Sequence, residues 1–156
     1  MSKPFTFHLI EESDLTDQHH ERICRLLVKA FPQYADLFST TSYYYALPEY
    51  RLWMEDEQGQ MIAHLDFERR VIGVNGVDVY IAGVGEVATH PDQQGQGIGR
   101  LLMQQLQSIL YTQFTVAYGF LQCREAVVGY YEKVGWHRVN QAVREDDIQS
   151  CLVYTS

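Results

Sequence analysis

Hydrophobic residues recur along this chain with two distinct periods. Over 15–31 they fall three and four positions apart, with Ile23, Leu26 and Leu27 on one face, which predicts an amphipathic helix that ends before a proline. Over 61–74 apolar residues alternate with polar ones, which predicts a strand with two different faces. The chain therefore combines helices with strands.

The same patterns predict the remaining elements and their order. Asn75-Gly76, the strongest hairpin signal in the chain, joins the strand over 61–74 to the next one. The other predicted strands cover 5–11, 51–55, 77–89, 115–121, 136–140 and 151–154, and the other predicted helical segments cover 34–47, 97–111 and 125–134. No repeat, linker or low-complexity tract interrupts them. We therefore expect residues 1–156 to form a single domain of the α/β (α+β) class.

A glycine-rich turn links the predicted strand over 77–89 to the predicted helix over 97–111. It reads Gln94-x-x-Gly97-x-Gly99. Glycines let a backbone come close to a ligand, and the first N–H groups of a helix, at the positive end of its dipole, bind anions. The spacing is neither that of the dinucleotide fingerprint nor that of the Walker loop. A turn without a ligand is the alternative, but the flanking strand and helix favour an anion site that suits a pyrophosphate.

This turn resembles the acetyl-CoA signature of the GCN5-related N-acetyltransferase (GNAT) superfamily, Gln or Arg-x-x-Gly-x-Gly or Ala. A second segment, 125–136, is similar to the C-terminal signature of that superfamily, a helix carrying Tyr-Glu-Lys-x-Gly-Phe, and Tyr131 falls on its tyrosine. The order of the elements resembles the GNAT topology over nearly the whole chain. The resemblance implies a mixed sheet of about six to seven strands, splayed in the middle and flanked by about four helices.

The resemblance also implies a bound acetyl-CoA. Its pantetheine arm would bond to main-chain groups at the end of the strand, and its pyrophosphate to the amides of the turn and the helix start. The implied cofactor-binding residues are Val87, Ala88, Thr89, Gln94, Gly95, Gln96, Gly97, Ile98, Gly99 and Arg100. Gly83 and Gly85 are consistent with the close approach of another backbone to this strand. Arg124 is a departure, because the family often has a cofactor-binding asparagine there.

Acyl transfer to an amine requires a base and an acid. An ammonium must lose a proton before it attacks, and the departing thiolate must gain one. Glu86 is the predicted base, because a glutamate in an apolar strand is costly unless it is used or paired. The resemblance gives Tyr131 the role of the acid. Two alternatives stay open: Glu86 pairs with Arg69 or Arg70, and Tyr131 is a core aromatic on a helix capped by Gly135.

Three further residues are reserve bases, namely His64, Asp66 and His90. The alternative for the first two is a solvated strand face, and for His90 an ordinary loop position. Relatives that acetylate polyamines or aminoglycosides often carry the acid one position earlier, where this chain has Gly85. Adjacent residues of a regular strand face opposite sides, so this offset bears on the role of Glu86.

The block around 61–70 resembles the aminoglycoside 2′-N-acetyltransferases and the rhizobial nodulation acyltransferase, which N-acylates a chito-oligosaccharide. Both act on amino sugars. We therefore expect direct attack, in a ternary complex, by a primary amine of a small molecule such as an amino sugar or a polyamine. The predicted acceptor-binding residues are Tyr43, Tyr44, Tyr45 and His64. A protein or peptide acetyltransferase and a non-catalytic acyl-CoA-binding module are the alternatives.

Composition narrows the partners and the setting. Twenty acidic residues against 12 basic ones give a formal net charge of −8, which argues against a nucleic-acid surface and favours a cationic acceptor. We see neither an apolar run of membrane-spanning length nor a signal peptide. The 3 cysteines are widely spaced, which predicts a reducing cytoplasm and no metal site. A homodimer stays open.

Overall fold

The computed structural model of the chain describes residues 4–44, 46–139 and 150–155. Its strands are β1 (Thr6–Glu11), β2 (Tyr50–Glu55), β3 (Met61–Val74), β4 (Val77–Thr89), β5 (Tyr118–Cys123), β6 (His137–Arg138) and β7 (Ser150–Thr155). Its α-helices are α1 (Asp17–Ala30), α2 (Ala35–Phe38), α3 (Ile98–Thr112) and α4 (Val128–Glu132). In this described part, 7 strands form one mixed sheet in the order β1-β2-β3-β4-β5-β7-β6. The predicted class and its approximate element numbers are confirmed.

Contacts between Cα atoms divide the chain into two compact units, and the first contains Met1–Glu68 and Glu86–Leu102. Within it, β1 pairs antiparallel with β2, and β2 with β3. A capping box at Thr16 starts α1, because the Thr16 hydroxyl accepts from His19 N at 3.1 Å and His19 Nδ1 accepts from Thr16 N at 3.2 Å. The buried cluster of this unit consists of Ile23, Leu26, Leu27, Phe38, Trp53, Met61 and Ala88.

The second unit contains Arg69–Gly85 and Met103–Ser156. Asn75 and Gly76 have φ of 51° and 78°, as a tight hairpin turn requires, which confirms the predicted hairpin. β4 pairs in parallel with β5 through Ala82–Val84, and β7 pairs antiparallel with both β5 and β6. Ile81 and Phe120 form one buried cluster in this unit. The single domain expected over 1–156 stays a prediction.

The helical region predicted over 34–47 is wrong beyond Phe38, where α2 ends. Long-range contacts hold the described residues that follow. The carbonyl of Ser42 accepts from Arg51 Nη1 at 2.8 Å, and the N–H of Tyr44 donates to Glu86 Oε1 at 2.9 Å. Tertiary partners thus take backbone groups that a helix would have paired internally.

Two predictions near the end of the chain are corrected in their boundaries. The strand predicted over 115–121 begins at Tyr118, because Val116 N closes the end of α3 by donating to Leu110 O at 3.0 Å. The helix predicted over 125–134 is a 3₁₀ turn followed by the short α4. The predicted strand residue Asn140 lies outside the described residues. Among those described, no helix combines the length and the apolar character needed to cross a bilayer.

Candidate functional site

The glycine-rich turn ends where α3 begins. Gly95 and Gly97 both have φ of 78°, a conformation that residues with a side chain disfavour. A Cβ atom added at either glycine would meet no other atom within 4 Å. α3 then starts at Ile98 and runs for 15 residues. The turn therefore offers an accessible backbone at the positive end of a long helix dipole.

The first amides of α3 are available as hydrogen-bond donors. The first α-helical hydrogen bond runs from Leu101 N to Gly97 O, at 3.1 Å. The N–H groups of Ile98, Gly99 and Arg100 precede it, so they have no partner within the helix. Ile98 and Gly99 are buried and Arg100 is exposed. An anion at this end of α3 would therefore meet mainly backbone donors.

Two glutamine side chains brace the turn. The Gln94 amide donates to Thr89 O at 3.3 Å, and the Gln96 amide donates to Asp92 O at 3.4 Å. Both side chains shape the loop in this structure. A direct contact of either one with a cofactor stays a prediction.

The end of β4 leads into the turn. Ala88 is buried in the hydrophobic cluster of the first unit, whereas Val87 and Thr89 are half-buried. His90, a reserve base, follows the strand and is 7% exposed. Its Nδ1 accepts from Asp92 N at 3.1 Å, so only Nε2 remains for acid–base chemistry.

The turn fits the pyrophosphate of the CoA that the resemblance implies. The open space over Gly95 and Gly97 accommodates phosphate oxygens where a side chain would stand. Successive amides at the start of α3 supply donors for them. The described residues thus carry the features that the sequence assigned to cofactor binding.

Glu86 interrupts the regular geometry of β4. Its φ is 43°, which lies in the left-handed region that a residue with a side chain rarely adopts. Glu86 Oε1 accepts from Tyr44 N at 2.9 Å, and the Glu86 carbonyl accepts from His64 Nδ1 at 3.0 Å. Since the strand does not alternate regularly here, the offset from relatives with an acid at the Gly85 position does not decide which way Glu86 faces.

His64 and Asp66 are buried, which corrects the solvated strand face that the sequence left open. They are 0% and 2% exposed. Burial, and then the charge of Arg51, lower the pKa of His64 to about 3. The ring is therefore neutral, donates from Nδ1 to Glu86 O, and turns Nε2 toward Arg51 Nη1 at 3.5 Å. His64 contacts Glu86 from inside the protein, and contact with an acceptor stays a prediction.

Arg51 is the buried cation of this region, and the sequence analysis missed it. Its Nε and Nη2 donate to the two carboxylate oxygens of Glu12 at 2.7 and 2.9 Å, and its Nη1 lies 3.4 Å from Asp66 Oδ2. Burial lowers the pKa of Arg51, but the hydrogen bond to Glu12 and the nearby acidic groups of Asp66, Glu12 and Glu86 outweigh it and raise that pKa. Asp66 lies on the polar side of the alternation in β3, and no pattern in the sequence marks that side as buried beside a cation.

The predicted acceptor-binding tyrosines differ in exposure. Tyr44 is 53% exposed, and its main-chain N–H donates to Glu86. Contact of its side chain with an acceptor stays a prediction. Tyr43 is half-buried, and its carbonyl accepts from the Thr41 hydroxyl at 3.2 Å. Tyr45 lies outside the described residues.

Tyr131 lies in an aromatic setting within the second unit. It is 8% exposed and makes edge contacts with Tyr130 and Trp136, at ring-centroid distances of 5.1 and 6.4 Å. Burial, assisted by Cys123 and Tyr130, raises the pKa of Tyr131, so the phenol keeps its proton. A general acid must be protonated, as this phenol is, but a raised pKa also makes it a weaker donor.

The chain around Tyr131 forms the predicted glycine cap. Gly135 has φ of 99°, and the N–H of Trp136 donates to Tyr131 O at 3.1 Å while Gly135 N donates to Glu132 O at 3.2 Å. This is the Schellman pattern of a helix end. The structure therefore shows the packing and the cap of the structural alternative, and the acid role of Tyr131 stays a prediction. Arg124, at the departure from the family pattern, is exposed.

Sequence comparison finds one described family. A family model described as Nodulation protein A (NodA) matches residues 2–155. The chain is 34% identical over 92 residues to Nodulation protein A of Sinorhizobium terangae, and this match covers 59% of the chain and 45% of that relative. The match thus spans somewhat less than half of the relative's length.

Structural comparison finds solved N-acyltransferases. The GNAT family N-acetyltransferase YhbS of Escherichia coli, solved in complex with CoA, has a TM-score of 0.70 at 19% identity, over 99% of this chain and 83% of that one. An acyl-CoA N-acyltransferase of Pseudomonas aeruginosa has a TM-score of 0.71 at 17% identity, over 97% and 100%. The GNAT fold and the resemblance to the nodulation acyltransferase are confirmed. The predicted transferase class and CoA cofactor agree with these findings.

Proposed function

The chain belongs to the Nodulation protein A (NodA) family, and from this premise we propose that it transfers an acyl group from a CoA thioester to a primary amine of a small molecule. Acetyl-CoA is the donor that the sequence motifs favour. The observation that carries the proposal is the open glycine turn before α3, where Gly95 and Gly97 leave room for a pyrophosphate beside free helical amides.

The cofactor-binding residues of the proposal form one continuous stretch. Amides from Gly95 to Arg100 would hold the pyrophosphate, and main-chain groups of Val87, Ala88 and Thr89 would bond to the pantetheine arm. When bound, acyl-CoA supplies the activated thioester that makes the acyl group transferable. These contacts use backbone atoms, so their strength depends on the glycine conformations more than on side-chain identity.

Glu86 and Tyr131 have complementary roles in the proposed transfer. The Glu86 carboxylate takes a proton from the acceptor ammonium, directly or through water, so that a neutral amine attacks the acyl carbonyl. The Tyr131 phenol donates its proton to the departing thiolate. The carbon–nitrogen bond that forms replaces the carbon–sulfur bond that breaks. The second proton that leaves the nitrogen would pass through water to restore the Tyr131 phenol, and the proton on Glu86 would return to solvent.

An amino sugar is the first acceptor to test, ahead of a polyamine. The resemblance to enzymes that act on amino sugars supports this choice. So does Tyr44, an exposed tyrosine whose backbone N–H contacts Glu86, because an aromatic face packs against a sugar ring or a cation while a carboxylate attracts the ammonium. The formal charge of −8 is compatible with either amine.

Calorimetry with acetyl-CoA tests the cofactor half of the proposal. We expect Gly97→Glu to lower the affinity by more than about a hundredfold, because a side chain and a negative charge would fill the phosphate nest. Gly73→Glu is the matched control, since Gly73 also has open space around it but lies near the end of β3 and not in the glycine-rich turn. It should bind as the unmodified protein does. An unchanged affinity of Gly97→Glu would contradict the cofactor assignment.

A panel of amines, scored by release of CoA, tests the acceptor half. Amino sugars, aminoglycosides, polyamines and lysine-containing peptides should be compared at equal concentration. The proposal predicts turnover with a small amine. Activity on peptides alone would favour the protein acetyltransferase alternative, and binding of acetyl-CoA without turnover on any amine would favour the non-catalytic module.

The proposal includes a cytoplasmic setting and leaves a homodimer open. Widely spaced cysteines support the reducing setting. Light scattering at several protein concentrations would decide whether a dimer forms.

A further inference from the structure

A cluster of polar side chains, most of them buried, surrounds Glu86 within the first unit. We call it the buried polar cluster and define it as Glu12, Ser42, Arg51, His64, Asp66 and Glu86. Its members at positions 42, 51, 64 and 66 are each at most 2% exposed. Polar groups at such depth are stable only when their hydrogen bonds are satisfied. The distribution of protons and charges in the cluster is therefore constrained.

Glu12 is the main counter-ion of Arg51. It binds the guanidinium through both oxygens, at 2.7 and 2.9 Å, in the bidentate manner of strong arginine–carboxylate pairs. Ser42 occupies two further donors of Arg51, with its hydroxyl and its carbonyl each at 2.8 Å. Asp66 receives only a long contact of 3.4 Å. Of the two acidic side chains, Asp66 therefore has the weaker hydrogen bond to Arg51.

The side chains of Asp66 and Glu86 come within hydrogen-bonding reach of each other. Two carboxyl groups can form such a bond only if one of them carries a proton. Glu86 is the half-buried partner, and its Oε1 already accepts the Tyr44 N–H at 2.9 Å. Asp66 is 2% exposed, and its contact with Arg51 is long, at 3.4 Å. The proton therefore belongs on Asp66.

The surroundings of Asp66 act in the same direction. Burial is the largest cause, and with the hydrogen bond and the charge of Glu86 it raises the pKa of Asp66 well above its ordinary value. Glu68, on the same strand, adds to this rise, and Arg51, on β2, opposes it. His64 is neutral beside them. Among these facing groups, Arg51 alone favours the ionised form of Asp66.

We propose that Asp66 is a positioning residue that, as a neutral carboxylic acid, donates a hydrogen bond to the Glu86 carboxylate and holds it beside the main chain of Tyr44. The inference rests on the proposed function for its catalytic consequence, because Glu86 is the proposed base. Asp66 does not touch the acceptor. It acts by fixing where Glu86 stands when an ammonium arrives.

Two substitutions of Asp66 separate a neutral donor from an ionised partner of Arg51. Asp66→Asn keeps the shape and keeps an N–H group that can donate to Glu86, whereas Asp66→Leu keeps the approximate shape without any donor. Asp78→Asn is the matched control, because Asp78 is an exposed aspartate of β4. Glu86→Ala gives the reference for complete loss of the bond to Tyr44.

Three measurements on these variants test whether Asp66 is protonated and whether it positions Glu86. At neutral pH the unmodified protein should show the infrared carbonyl band of a protonated carboxylic acid, which Asp66→Asn removes and Asp78→Asn keeps. Hydrogen exchange of the Tyr44 amide, followed by NMR, should stay slow in Asp66→Asn and accelerate about tenfold or more in Asp66→Leu. With the best amine, kcat should change less than about threefold in Asp66→Asn and fall about ten- to a hundredfold in Asp66→Leu, as expected for a lost hydrogen bond to a charged group.

Each contrary outcome overturns a stated part. If the unmodified protein has no such band, or Asp66→Asn retains it, Asp66 is not the protonated partner. If Tyr44 exchanges equally slowly in both variants, Asp66 does not position Glu86. If no amine is acylated while the band and the exchange behave as expected, the proposed function has failed and the positioning of Glu86 by Asp66 stands.

Discussion

Glu86 and Tyr131, the two predicted catalytic residues, lie in surroundings of opposite chemistry. Glu86 belongs to a cluster that contains a buried arginine, a buried histidine and two further carboxyl groups, and its own oxygens accept hydrogen bonds. Tyr131 packs against two aromatic rings and is 8% exposed. Around Glu86, neighbouring charges and hydrogen-bond donors determine where protons are held. Around Tyr131, the exclusion of water is the main influence on the protonation of the phenol.

The difference bears on the protonation state that each proposed role requires. A base must be ionised, and burial in an apolar setting would protonate a carboxyl group, so Glu86 needs polar neighbours. Apolar burial keeps the phenol of Tyr131 protonated, but it also makes the phenol a weaker proton donor, because its pKa lies further above that of a thiol. Asp66 shows the same rule inside the polar region, because it lies deeper than Glu86 and holds the proton.

The largest expected effect concerns the aromatic region. Tyr131→Phe should fold and bind acetyl-CoA normally, because the rings still pack, yet kcat should fall by about a hundredfold to ten-thousandfold as general-acid catalysis is lost. Tyr130→Phe is the matched control, since Tyr130 is 40% exposed and adjacent. It should keep its kcat. Steady-state kinetics on both variants decides between the acid and a packing role. Full turnover by Tyr131→Phe would leave Tyr131 as a packing residue.

The second largest expected effect concerns the buried polar cluster, where removal of the Arg51 charge should destabilise the protein. Arg51→Met leaves Ser42 without its donors and Glu12 without its counter-ion, so we expect a loss of about 3–5 kcal/mol in the free energy of unfolding. Arg22→Met, which breaks the more exposed pair with Glu55, should lose at most about 1 kcal/mol. Urea unfolding measures both. Equal losses in the free energy of unfolding would mean that the buried Arg51 stabilises the protein no more than the more exposed Arg22 does.

A smaller expected effect is the loss of stability on acidification, which should depend on the buried polar cluster through His64. The pKa of His64 is lowered to about 3 in the folded protein from 6.5, so its contribution to stability is complete above about pH 6.5 and is lost as the pH falls. Between about pH 6.5 and 4.5 this amounts to roughly 2–3 kcal/mol. His64→Asn should remove that part of the slope, and His137→Asn, at an exposed position, should keep it. Urea unfolding at both pH values checks this, and an unchanged slope in His64→Asn would contradict it.

The sequence predicted the strands that carry the site with good boundaries, because β3 alternates, β4 is largely apolar, and an unambiguous Asn75-Gly76 turn separates them. The glycine turn was equally clear, since its conformation depends on local residues. The helix predicted for the segment after α2 was wrong, because residues distant in sequence, Arg51 and Glu86, fix the backbone of that segment. The buried polar cluster was missed for the same reason: its members are distant in sequence, and the positive φ of Glu86 cannot be read from the identity of a glutamate.

The measurement that tests the account most directly is the pH dependence of kcat for the unmodified protein and for Glu86→Gln, with the best amine of the panel. If the Glu86 carboxylate is the base, Glu86→Gln should be slow near neutral pH, by about a hundredfold or more. It should recover as the pH rises toward the pKa of the amine, where the free base forms without assistance. Profiles that superimpose would contradict the account and assign proton removal to another group or to water.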